Sequence, residues 1–144
     1  MKFWKIAALI MAVCMLCSAF VACDSGKSAE TAAPAEVSDK VTDKTISLVV
    51  KVGNETKYEG TVTFSGYLGD AIELFTINEI EDSDGTCFDE HGFLVTVCDI
   101  TAEADQSWTA YFEAEGINAG AINTIRTQSL KDKEDGCTVV LQLK

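Results

Sequence analysis

Basic residues are scarce in this chain. Eleven Lys and Arg stand against 23 Asp and Glu, for a net charge of −12 over 144 residues. Nucleic acid and anionic lipid head groups are bound through basic surface, so both are excluded as partners of the folded part. There is one histidine, His91, and one proline, Pro34. With a single imidazole, four residues from Cys87 on a loop, nucleophile, base and orienting group form no recognisable set. No glycine-rich phosphate loop follows a strand, no paired carboxylates stand apart from the general acidity, and no internal repeat is evident. These absences argue against an enzyme.

The N-terminus is where the sequence is most explicit. Lys2 and Lys5 precede Ile6 to Ala22, a run with no charged residue. That is the n-region and h-region of a secretory signal. Phe20-Val21-Ala22-Cys23 resembles a bacterial lipoprotein lipobox, with Phe20 where Leu is usual. The resemblance implies cleavage after Ala22, a signal peptide over 1–22, and lipidation of the Cys23 thiol. An uncleaved signal anchor is the alternative, since the run is at the short end for a membrane span. Either way Lys2 and Lys5 stay inside and the rest lies outside, an extracytoplasmic, membrane-anchored position on the cell surface. Removing residues 1–22 takes Lys2 and Lys5 away, leaving 9 basic and 23 acidic residues and a net charge of −14.

Residues 23–44 hold the lipidated Cys23 and then "DSGKSAETAAPAEVSDKVTDK", with no aromatic residue. Such a segment cannot bury enough apolar area to offset its ordering entropy, and reads as a flexible tether. Residues 45–144 are one small domain. In "TISLVVKV", Ile46, Leu48, Val50 and Val52 share a face; after "GNETK", Tyr58, Val62 and Phe64 alternate with polar residues. This predicts a hairpin. In "GYLGDAIELFTIN", Leu68, Ala71, Ile72 and Phe75 make the stripe of an amphipathic helix, with Asp70 at its positive end. Three strand-like runs follow: "FLVTVCDI", "SWTAYFEA" and "CTVVLQLK". The order predicts an α+β domain, a β-grasp-like mixed sheet with one helix packed across it.

Several pieces of this domain occur in a known order: "TISLVV", "YEGTVTF" before "LGDAIEL", "HGFLVTVCDITA", "SWTAYFEAEG" with Trp108 and Tyr111, and "LKDKEDGCTVVLQL". Together they resemble the transcobalamin-like C-terminal family, also called the domain of unknown function 4430. Glu115-Gly116 stands where that family usually has Asn-Gly. The resemblance implies a corrinoid such as cobalamin as the candidate ligand, and no other cofactor is indicated.

The acidic loop from Glu79 to Glu90 does not fit an EF-hand: with Gly85 at position 6, Ile80 falls at position 1 and His91 at 12. Cys87, Cys98 and Cys137 allow one disulfide with a leftover thiol, or three reduced thiols packed as small apolar groups. Cys87-x3-His91 is not a usual zinc spacing, so no metal site is expected. On "SWTAYFEA", alternation puts Trp108 and Phe112 in the core and Tyr111 with Thr109 and Glu113 on the other face. Tyr111 and the small-residue loop after it, with Glu115, Gly116, Asn118 and Asn123, are the expected ligand contacts. The function these features imply is a surface lipoprotein with a small non-catalytic binding domain. An adhesion-type module contacting a surface protein or the cell wall through a sheet edge is the second reading.

Overall fold

The structure, a computed structural model, describes residues 38–144. The expected signal peptide, Cys23 and the tether as far as residue 37 lie outside the described residues. The rest is built on a five-stranded mixed sheet with a helix packed against it, the expected α+β, β-grasp-like class.

Two long strands, β1 (Val41–Val52) and β2 (Glu55–Gly66), form an antiparallel hairpin around Gly53 and Asn54. The two-residue loop needs a left-handed residue, and Gly53 supplies it at φ +59. β1 starts four residues before Thr45, so Val41 to Lys44 belong to the strand. Helix α1 (Leu68–Glu79) follows, opened by the Asp70 carboxylate accepting the Tyr67 N–H at 2.7 Å. Its predicted stripe of Leu68, Ala71, Ile72 and Phe75 is buried. A Cβ on Gly60 of β2 would lie 3.1 Å from the Phe75 ring, so a glycine there lets the helix settle on the hairpin.

The run "FLVTVCDI" is not one strand. It turns back on itself as β3 (Thr96–Val97) and β4 (Ile100–Thr101), with Cys98 at φ +46 and Asp99 at φ +61 in the loop. Two successive left-handed residues make a tight turn matched to strand twist, which apolar alternation cannot reveal. β5 (Trp108–Phe112) and β7 (Thr138–Leu143) form as expected. Between them "EAEGINAGAINT" folds as a 3-10 turn (Glu113–Glu115), a four-residue helix α2 (Gly116–Ala119) and a two-residue strand β6 (Ala121–Ile122).

Sheet order is β2-β1-β7-β5-β6, with β1 and β7 parallel at the centre and every other pair antiparallel. One face buries Ile46, Leu48, Val50, Val62, Trp108, Phe112, Val139 and Leu141 in the same core as α1. The alternate residues Ser47, Val49, Lys51, Thr109, Tyr111, Val140 and Gln142 occupy the opposite face.

Candidate binding cleft

β6 is too short to cover its neighbour. It pairs with β5 only at Ala110 and Tyr111, and Gly120 adds one bond, its carbonyl accepting the Phe112 N–H at 3.0 Å. On the other side of β5, Ser107 exchanges both backbone hydrogen bonds with Lys144, at 2.8 and 3.1 Å. Backbone directions alternate along a strand, so the N–H and C=O of Trp108 point to the β6 side, where the strand has ended. A short length of sheet edge is left open there.

A cleft of about 840 Å³ lies over this opening. Leu94, Trp108, Ala110 and Ile122 give it apolar lining, and Phe93, His91, Asn123 and Arg126 also line it. Such a volume is in the range of small-molecule sites. The Trp108 indole N–H donates to the Val95 carbonyl at 3.2 Å and ties the two walls together.

Phe93 and His91 are held by a compact turn. One Asp89 carboxylate oxygen accepts the backbone N–H of both His91 and Phe93, each at 2.9 Å, and Gly92 at φ +85 closes the turn. Phe93 is left 69% exposed. Beside this turn, Arg126 sits in a 3-10 turn (Ile125–Thr127), its guanidinium carbon 5.5 Å from the centre of the Phe88 ring. Its carbonyl oxygen rests against Gly69 of α1, where a Cβ would approach to 2.6 Å. Nearby, the Glu73 carboxyl is raised above its usual range, mainly by burial, with Arg126 opposing the shift.

The expected contact residues do not converge. Asn123 lines the cleft. Tyr111 lies on the opposite face of the sheet, beside Val140 and Ala121 in the pairing. Gly116, at φ +72, has open space around it, and Asn118 is exposed on α2. Glu115 lines a separate recess and is ion-paired to Lys133, whose ammonium lies 4.1 Å from the centre of the Phe112 ring. Phe93, His91, Trp108 and Arg126 were not among the expected contacts. The available signal was composition: His91 is the chain's only histidine and Arg126 its only arginine.

The thiols have structural surroundings. Cys87 donates to the Thr76 hydroxyl at 3.3 Å, and the same oxygen lies 3.9 Å from the Cys98 sulfur and accepts the Cys98 N–H at 3.4 Å. Burial pushes the Cys98 thiol up to about 11 and raises Cys87 and Cys137 as well. All three are free thiols. In the acidic loop, Asp84 and Asp89 accept local backbone N–H groups, and no cluster of three metal-ligating side chains occurs among the described residues.

No family model matches the chain, and no curated protein matches it.

Proposed function

We propose that the protein is a lipid-anchored surface protein whose β-grasp-like domain is a non-catalytic binding module, taking a small ligand in the cleft beside Trp108. The observation that carries this reading is the opening left by the two-residue β6, walled by Phe93, Leu94, Trp108 and Ile122. The resemblance to the transcobalamin-like C-terminal family makes cobalamin the first ligand to test. A non-catalytic role is supported by the thiols, which are raised rather than activated. Calorimetric titration of cobalamin into the purified protein tests the corrinoid assignment: saturable heat supports it, and its absence removes it. A screen that includes cell-wall glycans tests the wider reading, which falls if no compound perturbs residues of the cleft.

A second reading has its own observation. On β2, Glu59, Thr61 and Thr63 are exposed and direct their backbone groups away from β1, forming an open edge twelve residues long. Such an edge can accept a strand from another protein, which is the adhesion-type alternative.

A further inference from the structure

We infer that the cleft selects amphipathic monocarboxylates, with the apolar body between Phe93, Trp108 and Ile122 and the carboxylate on the Arg126 guanidinium. The inference rests on the cleft being a binding site and adds the class of ligand. Arg126 is the only arginine in a chain with 23 acidic residues, yet it takes part in none of the three ion pairs among the described residues. It is exposed at a cleft where the apolar side chains of Phe93, Leu94, Trp108 and Ile122 are mixed with polar ones. A guanidinium presents a planar fork of donors that matches a carboxylate.

The group is also held in place. Its backbone is packed on Gly69, its guanidinium lies by the Phe88 ring, and its Cδ would be 3.5 Å from a Cβ on Gly92. Pre-organisation reduces the side-chain entropy lost on binding. The Phe93 backbone is held by Asp89, which sets an exposed aromatic residue at the cleft wall.

The remaining charges narrow the class. Glu90 and Glu103 also line the cleft, and the chain as a whole carries −12. That field opposes polyanions such as nucleotides. A single carboxylate meets one cation, while its apolar body gains from burial.

The test uses 4-phenylbutyrate and its uncharged analogue 4-phenylbutyramide, titrated into the full chain in detergent and followed by NMR. The single arginine gives one Nε–H signal, and the Trp108 indole signal is assigned by its loss in Trp108→Phe. The carboxylate is expected to shift both signals, and the amide to shift the indole while binding about fivefold more weakly, the size of one exposed charge contact. Arg126→Gln should erase that preference and keep the indole shift; Arg126→Lys, which retains the charge, should restore part of it. Equal affinity for acid and amide, or a preference surviving in Arg126→Gln, overturns the carboxylate inference and leaves the cleft as a binding site. If neither compound shifts the indole, the inference is overturned; saturable heat with cobalamin in the same preparation would then leave the binding reading standing.

Discussion

Cys87 and Cys98 are 0% and 1% exposed and share the Thr76 hydroxyl, whereas Cys137 is only partly buried, at the edge of the core. Attack on a disulfide reagent requires the thiolate, and burial disfavours it. A thiol-reactive dye should therefore modify Cys137 first, with Cys87 and Cys98 reacting together only on unfolding; early labelling of Cys98 would contradict the packing. The same burial has a pH consequence. Cys98 holds its proton to about 11 in the fold, from an ordinary value of 9.0. Between these values the unfolded chain loses the proton first, so stability is intact below about pH 9 and falls as pH rises towards 11. The loss from this group is of order 2 kcal/mol. Urea melts at pH 8 and pH 10.5 should show it, and Cys98→Ala should shrink the difference between the two melts.

At the scale of elements, the cleft depends on how β5, α1 and two turns meet. Trp108 fills the core and bonds Val95, so Trp108→Ala should lower stability by about 3 to 5 kcal/mol, measured by urea denaturation. Tyr111→Ala, on the other face, should stay within about 1 kcal/mol. Gly69→Ala pits helix propensity, worth about 1 kcal/mol, against a Cβ 2.6 Å from the Arg126 carbonyl. Backbone must move, so a net fall in Tm is expected with a shift of the Arg126 Nε–H signal; a rise in Tm would show that the turn yields freely. The hairpin, α1, β5 and β7 were legible because Ile46, Leu48 and Val50, or Leu68, Ile72 and Phe75, repeat with the period of their element. The β3–β4 turn was not, because nothing in the alternation of Leu94 to Ile100 announces left-handed backbone at Cys98. Nor was the cleft. Its walls come from segments 90–95, 102–110 and 121–127, and its mouth exists because β6 stops after two residues. Periodicity assigns faces; it does not set strand length or say which loops meet.

For the whole molecule, the boundary between the expected tether and the domain falls earlier than composition suggests. Val41 to Lys44 read as part of the tether, yet they belong to β1, and the Asp43 N–H donates to Ser65 Oγ at 3.1 Å. A chain beginning at Ser38 should therefore melt at a higher temperature than one beginning at Thr45. The proposed anchor is a matter of charge and lipid. With residues 1–22 removed, as the lipobox resemblance implies, 9 basic residues stand against 23 acidic ones, and that net charge of −14 opposes an anionic membrane. On the lipoprotein reading proposed above, attachment comes from hydrocarbon, at roughly 0.8 kcal/mol per buried methylene, with two or more chains needed for stable anchoring. We propose Cys23 as the site, on the Phe20-Val21-Ala22-Cys23 pattern. Mass spectrometry of the mature N-terminus should find Cys23 as the first residue, carrying diacylglycerol. Cys23→Ser should move the protein out of the membrane fraction without changing the melting temperature of the domain. An unmodified Cys23, or an N-terminus intact from Met1, would defeat the lipoprotein reading in favour of an uncleaved anchor, and would leave the cleft and its carboxylate preference to be judged on their own tests.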